Sequence, residues 1–296
     1  MKEYLNEFIY HLKLIKKSSN NTIESYKRDV SKYLSYLEEN NVKDSAAVSD
    51  ELIAKYISSL AVEGKSSSTI TRVSSSIKGY YKFLNSLNPS FGVPTFKSNL
   101  QLNQDKKLPV ILEISEIQKL LDQPDMNDIK GIRDRAMLET LYATGIKVSE
   151  LISLNIDDVN LQSDFIKSGT GKNARIIPIH KTAAKLLSLY INQIRPVLIT
   201  DVTNLTLFVN MNGSSLTRQG LWKILKSYAV SAGIDKEITP HTIRHSFAYH
   251  LLENGADLND IKDLLGHVDI SSTQIYSQMI KNKYAKSYAK FHPLAR

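Results

Sequence analysis

The sequence predicts a mainly α protein of two domains, with one small β-hairpin in its second half. Three observations carry that prediction. Apolar residues recur at intervals of three and four along most of the chain, the period of one helix face. Around residues 89–109 the periodicity stops, in a stretch holding Pro89, Gly92, Pro94 and Pro109. The chain also has 296 residues, against roughly 150 for an ordinary domain.

The first domain, 1–88, reads as four helices. The opening one spans Leu5 to Leu14. The next carries Ile23, Tyr26, Val30, Tyr33, Leu34 and Leu37, with Asn21 and Glu24 spaced nearly as a capping box. Leu52, Ile53, Tyr56, Ile57 and Leu60 make a third helix with Ser49 as its cap, and Ile70, Val73, Ile77, Tyr80, Leu84 and Leu87 a fourth after Gly64-Lys65. Short polar loops between them imply a bundle. Residues 89–109 read as a linker ending in Lys106-Lys107; a structureless stretch that long suits a segment spanning something.

The second domain, 110–296, opens with helices at SEIQKLLDQ and GIRDRAMLETLYATG, the latter ending at Gly145. In DFIKSGTGKNARIIPIH, β-branched residues flank a Gly-rich centre, a hairpin signal. Helices follow at SLTRQGLWKILKSYAVSAG, HTIRHSFAYHLLENG and LNDIKDLLG. Trp222 is assigned to the core, and Arg133 and Arg135 to ion pairs with Asp134 and Glu139.

Composition limits the functions. Hydrophobic residues at 42% and charged residues at 23% fit a globular protein. With no cysteine, a disulfide scaffold, a thiolate metal site and a cysteine nucleophile are excluded. No run of 18 apolar residues suggests a membrane span, and MKEYLNEFIYHLKLIKK lacks a signal-peptide core, so the cytoplasm is the expected compartment. The net charge of +8, shared by both halves, points to a polyanionic partner, nucleic acid first. Arg72 and Lys78, with Ser74, Ser75 and Ser76 between them, form a polar stretch suited to a DNA backbone or simply to solvent.

Chemistry concentrates in residues 240–279. His241 and Arg244 lie three apart on one helix, hence on one face. His267 follows Gly266, and Tyr276 comes nine residues later. Arginine binds phosphate through two parallel hydrogen bonds, histidine donates or shuttles a proton, and a tyrosine hydroxyl can attack phosphorus to form a covalent ester. A lone His or Tyr is ordinarily packing; the ordered set is what points to phosphoryl transfer.

The order H-x-x-R, L-L-G-H and a Tyr nine residues on resembles the signature of the tyrosine recombinases, the lambda-integrase family, with a layout most like the Xer type. LYATGIKVSEL is similar to that family's first box, T-G-x-R-x-S-E-L, and NTIESYKRDVSKYLSYL to the DNA-clamping helices of its SAM-like core-binding domain. The resemblance spans nearly the whole chain. It implies a C-shaped clamp on double-stranded DNA, with a mostly α catalytic domain opposite the bundle. Tyr276 would attack the scissile phosphate, leaving a 3′-phosphotyrosyl link and a free 5′-hydroxyl. Arg244 would hold the non-bridging oxygens, His241 and His267 would assist, and no metal or cofactor would be needed. It further implies a homo- or hetero-tetramer on DNA, with a second recombinase in the latter case, a nucleoid location, and a C-terminal tail docking on a neighbouring protomer or simply solvated.

Two positions depart from the pattern. Lys147 stands at the first box's arginine, and a point charge replaces a fork of donors there. Thr170 stands where the family's hairpin lysine, the acid for the departing 5′-oxygen, is expected; Lys172 is taken for that role, with Lys167 also near. Glu150 is read as a cap or buttress of the first box. These departures keep open a weakly active or inactive member retained for sequence-specific DNA binding, beside a mobile-element integrase. A type IB topoisomerase is disfavoured by the N-terminal clamp and the compact length.

Overall fold

Three serines start the helices of the N-terminal unit. The hydroxyls of Ser19, Ser49 and Ser66 accept hydrogen bonds from the backbone N–H groups of Thr22, Leu52 and Thr69, which satisfies donors that an uncapped helix leaves orphaned. They open α2 (Asn20–Glu39), α3 (Asp50–Val62) and α4 (Ser67–Leu87), which follow α1 (Tyr4–Leu14). Ser19 caps α2 in place of the expected Asn21, because its extended backbone presents the hydroxyl two residues upstream and Asn21 already lies in the helix. Val30, Tyr33, Leu37, Ile77, Tyr80, Tyr81 and Leu84 are fully buried between these helices. Two of those tyrosines, Tyr33 and Tyr81, satisfy their hydroxyls on each other at 3.0 Å.

This computed structural model describes residues 2–42, 48–91, 108–171, 174–266 and 270–291. The chain divides into two compact units, Met1–Lys107 and Leu108–Arg296. The second begins with α5 (Ile114–Leu121) and α6 (Ile129–Thr144), whose Ala136, Met137 and Leu141 lie in the core. Gly145 ends α6 in the left-handed region at φ 57°. A Cβ there would sit 2.3 Å from the Phe247 ring, so glycine is required on both counts. The chain turns into α7 (Val148–Ser153) and then a three-stranded antiparallel sheet, β1 (Val159–Asn160), β2 (Phe165–Ser168) and β3 (Arg175–Pro178), in that spatial order. Ile166 faces Ile177 across β2 and β3, both buried, while Lys167 and Ile176 form the exposed pair.

Beyond the sheet come α8 (Lys181–Leu189), a π-helical turn at Tyr190–Ile194, α9 (Arg195–Leu198), α10 (Arg218–Ser231), α11 (Pro240–Glu253), α12 (Leu258–Leu265) and α13 (Ser271–Phe291). The placement of Trp222 in the core is overturned: α10 buries Leu221, Leu225 and Ala229, and Trp222 stands off that stripe, 43% exposed, with Lys226 over its ring at 5.1 Å. The stretch expected as a tail continues α13 as helix as far as Phe291. Arg133 bonds Asp134, and Arg135 bonds Asp122 and Glu139, close to the expected ion pairs. Among the described residues no helix is long and apolar enough to cross a membrane, and no His/Asp/Glu group is arranged to hold a metal.

Candidate active site

The Gly145 turn delivers Lys147 to the start of α7, where its backbone N–H donates to Glu150 Oε2 at 2.9 Å. The same carboxylate takes both prongs of Arg175 from β3, Nη1 to Oε1 at 3.0 Å and Nη2 to Oε2 at 2.9 Å. Burial pushes the Glu150 carboxyl up, but the hydrogen bonds from Arg175 and Lys147 and the charges of both residues outweigh it, so it ends below its ordinary value. Arg175 Nε also donates to Leu264 O at 2.6 Å, at the end of α12. Its guanidinium lies against Gly266, where a Cβ would come within 2.8 Å of Nη1. One arginine therefore ties α7, β3 and α12 together.

Arg244 on α11 is 5% exposed and donates to Gly145 O at 2.6 Å and Leu265 O at 2.7 Å. Burial lowers its guanidinium to about 10, against the pull of Glu150, and it stays charged at neutral pH. Tyr276, on α13, is 1% exposed, with its hydroxyl 2.7 Å from His245 Nδ1. Burial raises the Tyr276 phenol to about 12, with Arg244 opposing. Burial, then the charges of His241 and Arg244, push His245 down to about 4, so the imidazole is neutral at pH 7. Nearby an open cleft of about 440 Å³ is lined by the cations Lys147, Lys167 and Arg175, the acids Glu150 and Asp158, and Thr170 and Gly266. Lys147 Nζ stands in it, 3.5 Å from Gly266 O. A buried phenol, a charged guanidinium with donors to spare and a cleft that carries Lys147 and Lys167 beside the Arg175–Glu150 pair are suited to transferring a phosphoryl group to tyrosine.

The phage integrase family model matches residues 111–283, and the N-terminal SAM-like domain model of phage integrases matches residues 5–87. The chain belongs to the phage integrase family. It is a tyrosine recombinase of Xer type, an enzyme that cuts and rejoins DNA at specific sites. This recombinase is 43% identical to the tyrosine recombinase XerD of Staphylococcus epidermidis and 41% identical to that of Staphylococcus aureus, each over the whole of both chains. Among solved structures it is similar to the XerA recombinase, at 28% identity and a TM-score of 0.55 over 99% of both chains. It also shares the fold of XerH bound to palindromic difH substrate, at 23% identity and a TM-score of 0.78, over 96% of this chain and 84% of that one.

Of the residues singled out in the recombinase's sequence, Arg244 and Tyr276 come together with His245, and Lys147 borders them. His241 does not share the environment of Arg244: it is exposed, and its ring lies 6.4 Å from that of His245. His267, Lys172, Lys106 and Lys107 lie outside the described residues. In the N-terminal unit, Arg72 is bonded to the buried carboxylate of Asp29, and Ser76, expected on a polar face, is buried and donates to the same carboxylate at 3.0 Å. Lys78 and Ser75 are exposed. Sequence reasoning missed His245 and Arg175. His245 directly follows Arg244, and such adjacency puts it about 100° around the helix, where only the position of α13 reveals its neighbour. Arg175 carried a strand position in the hairpin and no motif.

Proposed function

We propose that Tyr276 is the nucleophile with which this recombinase cuts DNA, forming a 3′-phosphotyrosyl link, and that it acts in chromosome-dimer resolution. The observation that carries this reading is the Arg244–Tyr276–His245 cluster. A guanidinium has five N–H donors, and Arg244 spends Nη1 and Nη2 hydrogens on Gly145 O and Leu265 O. On this reading the remaining donors, on a guanidinium already anchored by those two carbonyls, meet the non-bridging oxygens of a phosphate. Because they are oriented beforehand, they stabilise the charge that builds up on those oxygens without reorganising. Tyr276 is buried, so engagement of DNA has to uncover it before it can attack.

On this reading Lys147 supplies charge where a forked donor would bind twice. His241 and His267 assist at the phosphate, and Lys172 protonates the leaving 5′-oxygen. Arg72, Lys78, Lys106 and Lys107 contact the DNA backbone. Residues 1–88 form the clamp domain, 89–109 the linker and 110–296 the catalytic domain. The working assembly is a tetramer on two duplexes, of one recombinase or two, at the nucleoid. The identity of 41–43% with proteins named XerD supports the chromosomal role over that of a mobile-element integrase.

Lys147 and Thr170 favour a second reading, a DNA-binding member that cleaves slowly or not at all. Trapping on a nicked suicide duplex carrying the host's chromosome-resolution site separates the two. A covalent adduct that disappears in Tyr276→Phe, with binding unchanged on native gels, is the result expected of the enzyme. Tight, specific binding without adduct from any variant would move the assignment to the binding protein.

A further inference from the structure

The last carbonyls of a helix have no partner within it, and α12 meets that need with two guanidiniums in succession. Arg175, from β3, donates Nε to Leu264 O at 2.6 Å, and Arg244, from α11, donates Nη2 to Leu265 O at 2.7 Å. The same two arginines also share the turn after α6. Arg244 holds Gly145 O directly at 2.6 Å. Arg175 holds the turn through Glu150, whose carboxylate takes both its prongs and accepts the Lys147 backbone N–H. We propose that Arg175 is a positioning residue for strand cleavage: by fixing the end of α12 and the Gly145–Glu150 turn on β3, it sets where Arg244 and Lys147 present their charges to the scissile phosphate. This rests on the reading that those two residues bind the phosphate while Tyr276 attacks it.

Geometry, more than charge, is what Arg175 has to offer. Its charge is offset by Glu150, and the two side chains are only 11% and 15% exposed, so the pair adds little net attraction for DNA. A lysine there keeps the charge but cannot hold a carboxylate by two parallel bonds and a carbonyl by a third donor. Contact with α12 is close: at Gly266, φ 64°, a Cβ would come within 2.8 Å of Arg175 Nη1. Gly266 O is also the atom 3.5 Å from Lys147 Nζ, so the backbone against which Arg175 lies borders the Lys147 ammonium too. Both members of the pair act on the Arg244 charge, in opposite senses. Shifting either carbonyl that orients Arg244 moves its free donors, and a displacement of about 1 Å at a reacting centre can cost about 10²-fold in rate.

The test uses the full-length protein and the suicide duplex. Arg175→Lys should bind DNA within about threefold of the unmodified protein, since the charge is unchanged. Its single-turnover cleavage with protein in excess should fall by about 10–10²-fold. In Arg175→Ala, guanidinium chloride below denaturing concentrations should raise the rate about tenfold or more over sodium chloride at equal ionic strength, because the free ion can refill the gap between Glu150 and Leu264 O. Cleavage by Arg175→Lys within about threefold of the unmodified protein would overturn the proposal. So would a cleavage loss matched by an equal loss of DNA binding or of folded protein, or a folded Arg175→Ala that guanidinium leaves unimproved; if Arg175→Ala does not fold, Arg175→Lys decides. A further readout needs no cleavage: the ¹H–¹⁵N signal of Arg244 Nε in arginine-labelled protein, assigned with Arg244→Lys. That signal should shift or broaden in Arg175→Lys, and an unchanged signal would contradict the positioning role. Absence of adduct from the unmodified protein would count against the nucleophile reading, and the Arg244 signal would still decide whether Arg175 orients that guanidinium.

Discussion

Arg244 and Tyr276 reach their places as buried side chains tied to the protein itself, one to two backbone carbonyls and the other to His245. Lys147, by contrast, stands on an open cleft with Lys167 and Thr170, and its ammonium lies 3.5 Å from Gly266 O. The buried side matches the tyrosine recombinase pattern at each described position. The open side holds both departures from it. The buried side groups are also structural, locking α11, α12 and the Gly145 turn, so losing them costs folding as well as chemistry. Within that cleft, Lys147, Lys167 and Thr170 project from a frame that the Arg175–Glu150 pair holds. On the reading proposed above, this difference places the weakness of the site at the leaving oxygen and the phosphate charge, with Tyr276 unaffected as the nucleophile.

The comparison breaks first on Tyr276→Phe, which should abolish covalent adduct completely while leaving DNA affinity within about twofold, since a buried hydroxyl makes no backbone contact. Adduct surviving that change would place the nucleophile elsewhere. Next in size is Lys147→Arg. Restoring a forked donor in a transition-state contact should raise the cleavage rate by about 10–10³-fold, with unchanged binding on native gels because the charge is the same. A rate that does not move would mean the open side is not limiting.

Glu150→Gln sharpens the comparison from the structural side. It removes the charge that holds both prongs of Arg175, and should destabilise the catalytic unit by about 1–3 kcal/mol, read as a lower denaturant midpoint at pH 7. The carboxyl is held below its ordinary value of 4.5, so its contribution is present above that value and is lost as pH falls through the lowered folded one. The gap between Glu150→Gln and the unmodified protein should therefore narrow on acidification below about pH 4.5. Smallest of all, Trp222→Ala should shift stability by no more than about 0.5 kcal/mol, because the ring is exposed and packs on Lys226 alone among aromatic and cationic partners described.

Legibility in the sequence followed the range of the interaction. The helices of the bundle were readable because their apolar stripes are local and periodic, and Ser49 sits immediately before its run. The start of α2 was misplaced because Asn21 and Ser19 are both good caps, and only backbone geometry chooses between them. β1, two residues long, offers no alternation to read. Trp222 was misassigned because size and aromaticity argue for burial while its helical phase, one residue past Leu221, argues against it. In the site, Arg244 and Tyr276, which a motif orders along the chain, were legible in the sequence and lie together in the fold. His245 and Arg175, whose partners lie 31 and 25 residues away, were not, since contact between separate elements is a property of the fold.

The central claim, an intact nucleophile beside an impaired leaving-group side, is tested most directly by one substitution in the DNA. A duplex in which sulfur replaces the bridging 5′-oxygen at the scissile phosphate expels a thiolate, which departs without a proton. Single-turnover cleavage should be faster on the sulfur duplex than on its oxygen counterpart by about 10²-fold or more, the scale of general-acid catalysis, and the signal should vanish in Tyr276→Phe. Equal rates on the two duplexes would show that the leaving oxygen already receives its proton efficiently, and would contradict the account.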